Sequence, residues 1–190
     1  MSLAHANLIG ALWIAWTVYW FAAARDTKAD DRRESAVSRA SHIVPLVLAA
    51  ALLWARELPG GFLGARLLPD TPATFHVGLA VLACGLGFSV WARRVLGGNW
   101  SGVVTVKHDH ELVRSGPYRI VRHPIYTGLL IAFAGTAIAR GEWRGVLAVA
   151  LVFVAFWRKL AIEERWMIET FGEAYLRYRA EVRALIPFVL

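Results

Sequence analysis

A polar segment from residue 108 to residue 128 concentrates side chains that can bind charged groups and transfer protons. It holds three histidines, three arginines and two tyrosines directly before a long apolar run. Within it, Ser115-Gly116-Pro117 predicts a tight turn, and Pro124 suits the first turn of a following helix. Because these groups cluster around a turn, we expect a polar binding site here. The alternative is contact with lipid headgroups, which is common for arginine and histidine beside a membrane helix.

A second polar cluster follows the last apolar run and contains Arg158, Lys159, Glu163 and Glu164. Lys159 and Glu163 are four residues apart, so they share one face of a helix. We expect Glu163 to bind an ammonium group and Arg158 or Lys159 to face an anion. A solvated helix carrying a weak surface ion pair is the alternative.

Histidine is a common zinc ligand, so His108, His110 and His123 form an alternative metal site. The segment offers no cysteine and no acidic partner at the spacing of structural zinc sites, so we predict no metal. Cys84 is the one cysteine of the chain and lies in an apolar run. It is expected to be a small buried apolar residue.

Five apolar runs separate the polar segments and predict an all-α, polytopic membrane protein. Backbone groups in hydrocarbon must be hydrogen-bonded within their own segment, and no run shows the alternation of a membrane strand. The chain is 57% hydrophobic, which is high for a soluble domain. The predicted spans are residues 3–24, 43–55, 75–92, 125–139 and 145–157.

The last two runs are short and are joined by five residues, so they predict a helical hairpin that tilts or only partly crosses the membrane. Residues 158–183 have the pattern of a polar C-terminal helix. The charged connection from Arg25 to Arg39 is expected to be solvated.

Charge predicts the orientation of these spans. Segments 25–42, 93–122 and 158–190 fall on one side and hold 17 of the 21 lysines and arginines. Positive residues favour the cytoplasmic side, which places the N-terminus outside and the C-terminus inside. The net charge of +7 therefore suits contact with the headgroups of membrane lipids. Nucleic acid is not an expected partner, because the chain has no nucleic-acid-binding motif.

The order of motifs over residues 95–190 resembles the isoprenylcysteine carboxyl methyltransferase and phospholipid methyltransferase superfamily. The matching stretches are His110-Glu111-Leu112-Val113, Ser115-Gly116-Pro117-Tyr118, Arg122-His123-Pro124-Ile125-Tyr126-Thr127-Gly128, Glu163-Glu164, and Phe171-Gly172-Glu173-Ala174-Tyr175 to Ile186-Pro187.

The resemblance implies one membrane domain over residues 1–190, in which 1–92 supplies three spans and 93–190 the cofactor-binding and catalytic region. It implies an S-adenosylmethionine-dependent methyltransferase acting on a lipophilic acceptor at the membrane. Residues expected to hold the cofactor are His110, Leu112, Val113, Tyr118, His123, Pro124, Tyr126, Glu163 and Glu164.

The acceptor is less sharply defined by the resemblance. The prenylcysteine enzymes place an arginine one helical turn before the acidic residue, where this chain has Lys159 or, one position earlier, Arg158. With Glu163, these two residues are the predicted catalytic set. Carboxyl methylation of a prenylcysteine-type substrate is the leading expectation. Phospholipid N-methylation, a non-catalytic lipid- or partner-binding role and a reductase on a related scaffold are the alternatives.

Overall fold

The computed structural model describes residues 3–24, 30–55, 61–100, 105–107, 112–187 and 189. Six α-helices run through this part of the chain, together with three short 3₁₀ turns and one pair of short strands. In chain order the elements are α1 (Leu3–Ala23), β1 (Asp30–Arg33), α2 (Ala36–Trp54), α3 (Pro72–Leu96), β2 (Thr105–Lys107), α4 (Pro124–Arg140), α5 (Trp143–Phe171) and α6 (Glu173–Glu181).

Helices α1 to α5 coincide with the five predicted apolar runs, which confirms the helical membrane fold. Within the described residues, α1, α2, α3 and α5 are long and apolar enough to cross a membrane. Helix α4 has 17 residues, which gives a length of about 26 Å. It forms the predicted hairpin with α5 across a turn at Gly141, whose φ is 68°.

Helix α5 corrects the expectation of a short last run. It continues without interruption for 29 residues, so the polar cluster from Arg158 onward belongs to the same helix as the apolar run before it. No glycine or proline follows Gly145 in this helix until Gly172, where φ is 51° and the chain turns into α6. The apolar run and the polar cluster therefore share one continuous helix.

Helices α3 and α4 pack closely through small residues. A Cβ placed on Gly85 would lie 2.5 Å from the Gly128 carbonyl oxygen, so the two backbones approach to a distance that only glycine permits. Helix α1 joins this pair by side-chain hydrogen bonds. Trp16 donates to the Ser89 hydroxyl at 2.8 Å, and Trp13 donates to the Thr136 hydroxyl at 3.1 Å.

Helix α2 runs antiparallel to α5. Arg144, at the start of α5, donates to the Ala55 carbonyl oxygen at the end of α2 over 2.7 Å. Deeper in the bundle, Ala49 shares an apolar cluster with Ala148 and Val152. The first turn of α2 therefore lies near the polar end of α5.

Two expectations about single residues and connections are wrong. Cys84 is exposed on α3 instead of buried, because it lies on a face of the helix that would contact membrane lipid. The connection before α2 is not solvated throughout, since the side chain of Glu34 is buried beside His42 of α2. Strand β1 in this connection pairs antiparallel with β2 and thereby joins the first polar segment to the second.

Candidate active site

The turn before α4 has the predicted form. Residues Gly116–Arg119 make one 3₁₀ turn, and Gly116 has a φ of 57°, which favours glycine. The turn buries Tyr118 against Ile125 and the half-buried Val113. Leu112 is half-buried just before it. The Tyr118 carbonyl oxygen accepts a hydrogen bond of 2.6 Å from the Tyr178 hydroxyl, which attaches α6 to this turn.

The C-terminal tail folds back onto the start of α4. The backbone N–H groups of Arg122 and His123 donate to the carbonyl oxygens of Arg183 and Ala184 at 2.8 and 3.0 Å. The Thr127 hydroxyl also donates to the Leu185 carbonyl oxygen at 2.7 Å. Pro124 occupies the first turn of α4 as predicted and is buried. The tail and the helix start therefore form one wall of the site.

Two adjacent carboxylates on α5 bind His123 from both sides. Nδ1 of His123 lies 3.5 Å from Glu163 Oε2, and Nε2 lies 3.3 Å from Glu164 Oε1. The Tyr126 hydroxyl donates to Glu163 Oε1 at 2.5 Å. The Tyr126 ring stacks on His123, with ring centroids 5.6 Å apart and planes 6° apart. These four predicted residues thus form one connected network.

Arg122 links the Glu164 carboxylate to the C-terminal tail. Its Nε and Nη2 donate to Glu164 Oε1 at 2.8 and 2.5 Å, and its Nη1 donates to the Val182 carbonyl oxygen. Arg179 approaches Glu164 Oε2 at 3.4 Å. Since the side chains of Arg122 and Glu164 are 7% and 9% exposed, this ion pair is largely withdrawn from water.

The surroundings of His123 favour its protonated form. Burial lowers the pKa of its imidazole, but the hydrogen bonds and charges of Glu163 and Glu164 outweigh burial and raise that pKa above the ordinary value of 6.5. Burial also raises the pKa of the Tyr118 hydroxyl, and it raises the pKa of Tyr178 to about 12. The two acids therefore favour the protonated form of His123.

A cavity of about 360 Å³ opens beside this network, between α5, α6 and the tail. Its volume is within the range of small-molecule sites. Apolar side chains of α5 line one part of it. Its charged lining consists of Glu164 and four arginines: Arg122, Arg165, Arg179 and Arg183. Such a lining can pair with an anionic group through the guanidiniums and with a cationic group through the carboxylate.

The two basic candidates on α5 occupy different positions. Arg158 is exposed, whereas Lys159 is half-buried and its Nζ lies 5.5 Å from the centroid of the Tyr126 ring. Lys159 thus faces the site from the same side as Glu163.

Some candidates fall outside the described residues. His108 and His110 are among these, so a cofactor contact of His110 and a histidine cluster with His123 both stay predictions. No group of metal-binding side chains is found among the described residues.

Several residues of the site were not singled out by the sequence analysis. Arg122 was quoted only as part of a motif, and Arg179 lies in the polar C-terminal pattern without a distinguishing spacing. Outside this network, Glu34 lies in the connection expected to be solvated, and its buried partner His42 lies in α2. A Glu–His pair eight residues apart has no local sequence signal, because one member precedes α2 and the other lies within it.

A family model described as phospholipid methyltransferase matches residues 73–174, more than half of the chain. The chain belongs to this family. The match begins at the first turn of α3 and ends in α6, so it includes the start of α4, the carboxylate pair and the α3–α4 contact. The family membership confirms the predicted resemblance.

Individual relatives and a solved structure also match this chain. Protein-S-isoprenylcysteine O-methyltransferase of Schizosaccharomyces pombe is 35% identical over 96 residues, which cover 49% of this chain and 41% of the relative. Methanethiol S-methyltransferase 1 of Bradyrhizobium diazoefficiens is 38% identical over 72 residues, covering 37% of this chain and 24% of the relative.

The structural match is to the eukaryotic intramembrane Ras methyltransferase, isoprenylcysteine carboxyl methyltransferase. The TM-score is 0.57 with 24% sequence identity, over 80% of this chain and 52% of the other. This likeness shows a shared fold. The chain spans about half or less of the length of these proteins.

Proposed function

We propose that this protein transfers the methyl group of S-adenosylmethionine to a lipophilic acceptor at the membrane surface. The observation that carries the proposal is the joined network of His123, Tyr126, Glu163 and Glu164 beside a cavity of ligand size. Family membership supports the reaction class. The carboxyl group of a prenylcysteine-type substrate is the leading acceptor, by likeness to the isoprenylcysteine enzymes named above.

The side chains present fit the methyl donor. The carboxylates of Glu163 and Glu164 suit its ammonium group, and guanidiniums of the cavity suit its carboxylate. Tyr126 and Lys159 adjoin Glu163, so they border the same region. Bound S-adenosylmethionine supplies a methyl group made electrophilic by its sulfonium.

The protein's own contribution is positioning in a site shielded from water. Holding donor and acceptor in line can lower the barrier by up to about 7–11 kcal/mol. The rigid helix α5, the tail and the turn before α4 are joined by hydrogen bonds, so they can hold such a geometry. A carboxylate acceptor requires no proton transfer, and His123 is not needed as a base for it.

The basic residues around the site suggest its side of the membrane. Arg122, Lys159, Arg179 and Arg183 lie at this end of the bundle, whereas Arg140 and Arg144 lie at the far end near Ala55. The excess of positive charge at the site end favours the cytoplasmic side. The N-terminus is then outside.

N-methylation of a phospholipid headgroup is the second candidate, favoured by the description of the family model. The test of both is methyl transfer from labelled S-adenosylmethionine by the purified protein in lipid nanodiscs. The acceptors are N-acetyl-S-farnesylcysteine, phosphatidylethanolamine and a farnesyl thiol. Label in the farnesylcysteine ester supports the leading function, and label in the lipid supports the second. No label in any acceptor contradicts the proposal.

A further inference from the structure

The cavity beside the carboxylate network carries more positive charge than the methyl donor can balance. Four guanidiniums and one carboxylate line it, which leaves a net charge of +3 among its described lining residues. S-adenosylmethionine is itself a net cation at neutral pH, because its ammonium and sulfonium outnumber its single carboxylate. The bound donor therefore cannot neutralise this lining, and repulsion between like charges would remain. The charge balance is incomplete without a second, anionic ligand.

The four arginines divide into two that are engaged and two that are available. The Arg122 guanidinium is buried against Glu164, and Arg179 approaches the other oxygen of the same carboxylate. Arg165 and Arg183 are exposed, and neither pairs with a carboxylate in the described part of the chain. Arg165 donates to a carbonyl oxygen of its own helix. The guanidiniums of Arg165 and Arg183 can therefore bind an anion that approaches from outside.

The same cavity continues from these arginines toward the membrane-spanning part of α5. Trp157 ends the apolar run of α5 and lies eight residues before Arg165, which is about 12 Å along the helix. Trp157 and Val189 both line the cavity and are exposed apolar side chains. Tryptophan favours the boundary between hydrocarbon and lipid headgroups. The cavity thus extends across this boundary, with its cations on the polar side.

Exposed apolar side chains of α6 and the tail extend this mixed surface. Leu176 and Arg179 are three residues apart on α6 and so share one face of that helix. Leu176 is exposed, and so is Ile186 of the tail, three residues beyond Arg183. Apolar side chains interleaved with basic ones are typical of segments that lie in the membrane surface. A small water-soluble anion would use the charges alone, whereas a lipid uses both kinds of side chain.

We propose that this cavity binds the headgroup of an anionic phospholipid from the adjoining membrane leaflet. The lipid phosphate pairs with Arg165 and Arg183, and the acyl chains run past Trp157 toward the hydrocarbon. The methyl donor takes the inner end beside Glu164, so the two ligands are bound together. The inference goes beyond the proposed function, because this lipid is neither donor nor acceptor of the methyl group.

The charges of the cavity select an anionic lipid over a zwitterionic one. Guanidiniums bind phosphate oxygens through paired, charge-assisted hydrogen bonds. A zwitterionic headgroup brings a cation next to its phosphate, and this cation would lie among the arginines. Glu164, the one carboxylate of the described lining, is already paired with Arg122 and Arg179. The site should therefore discriminate by headgroup charge and not by acyl chain.

Native mass spectrometry of the full chain, without methyl donor, tests the inference. The delipidated protein is titrated with phosphatidylglycerol or with phosphatidylcholine of the same acyl chains. We expect one phosphatidylglycerol per chain to bind about 10-fold more tightly, since basic residues at a membrane surface attract anionic lipid. Phosphatidylglycerol has no amine, so its retention cannot reflect binding as an acceptor for N-methylation. Equal affinities for the two lipids would overturn the inference.

A double variant tests the assigned arginines. Arg165→Gln combined with Arg183→Gln should weaken phosphatidylglycerol binding about 30-fold, as expected for the loss of two surface cations. Arg119→Gln combined with Arg177→Gln is the matched control, because it removes the same charge from exposed arginines outside the cavity. The control should bind the lipid as the wild type does. An equal loss in both double variants would mean general attraction by surface charge and would refute the site.

Two competitors separate the lipid from other anions and from the methyl donor. Inorganic phosphate in large excess should not displace phosphatidylglycerol, because it lacks the apolar part; displacement would assign the site to a free phosphate instead. Saturating S-adenosylmethionine should leave the lipid bound. Full displacement by S-adenosylmethionine would mean that these arginines belong to the donor site, which contradicts the inference. Selective lipid binding alongside failure of every methyl transfer would overturn the proposed function and leave this inference standing.

Discussion

The hydroxyl of Tyr126 donates a hydrogen bond of 2.5 Å to Glu163 and so joins the first turn of α4 to the polar end of α5. The Tyr126 ring also stacks on Phe156, with centroids 4.8 Å apart. Glu163 is thereby held on both sides, by a tyrosine and by His123. The position of this carboxylate is thus determined by two segments that are far apart in sequence.

Glu163→Gln should weaken the binding of S-adenosylmethionine. The substitution keeps the size of the side chain but removes the negative charge that we assign to the ammonium group. Loss of a hydrogen bond to a charged group costs about 1.5–3 kcal/mol, which corresponds to a Kd about 10 to 150 times higher. Equilibrium dialysis with labelled S-adenosylmethionine measures it. Glu173→Gln is the control, because Glu173 is exposed at the start of α6; equal affinities of the two variants would remove Glu163 from the cofactor site.

Arg122→Met should destabilise the protein strongly. It leaves Glu164 buried without its closest cation, and loss of one member of a buried pair costs about 3–5 kcal/mol. Equilibrium unfolding in detergent measures the change in the free energy of unfolding. Arg165→Met is the control, since Arg165 is exposed and donates to Ala161 on its own helix. A loss for Arg122→Met no larger than for the control would show that the buried pair does not hold the tail.

The stabilising contribution of His123 should decrease with rising pH. Its pKa in the folded protein is raised above 6.5, so its bonds to Glu163 and Glu164 contribute fully below pH 6.5 and are lost as pH rises through the folded-state pKa. The difference in melting temperature between the wild type and His123→Gln, followed across this range, should therefore shrink. A difference that grows with pH would mean that the imidazole is neutral in the folded protein.

Gly85→Ala should loosen the contact between α3 and α4. The added Cβ would lie 2.5 Å from backbone atoms of Gly128 and Ala132, and overpacking of this kind costs about 1–3 kcal/mol. Gly87→Ala on the same helix is the matched control, because a Cβ there meets nothing within 4 Å. That variant should be neutral or up to about 1 kcal/mol more stable. Similar unfolding free energies for both variants would contradict the close packing.

The sequence was sufficient to predict the helices and to identify the residues of the motifs. Uninterrupted apolar runs must be helical in a membrane, and the turn at Gly116 and the helix start at Pro124 carry local signals. Tyr118, His123 and Tyr126 could be named as cofactor-site candidates before any contact was known because they lie in motifs that resemble those of the superfamily.

The remaining features depend on contacts between distant segments. The predicted length of α5 was too short because the first polar residues after the apolar run were taken as the end of the helix. The helix instead continues up to its C-cap at Gly172. Arg122 pairs with Glu164 across 42 residues, and the tail carbonyl oxygens reach His123 across 61. Glu34, in the connection before α2, lies beside His42 of α2, and both are buried. No spacing within the chain encodes these relationships.

The central claim is that the helix start at His123, the carboxylates of α5 and the folded-back tail hold S-adenosylmethionine. Isothermal titration calorimetry of the wild-type protein in detergent, with circular dichroism to verify the helical fold, tests it most directly. We predict saturable binding with one S-adenosylmethionine per chain. A helical, monodisperse protein that gives no binding heat at any temperature tried, and no retention of labelled S-adenosylmethionine, would contradict it.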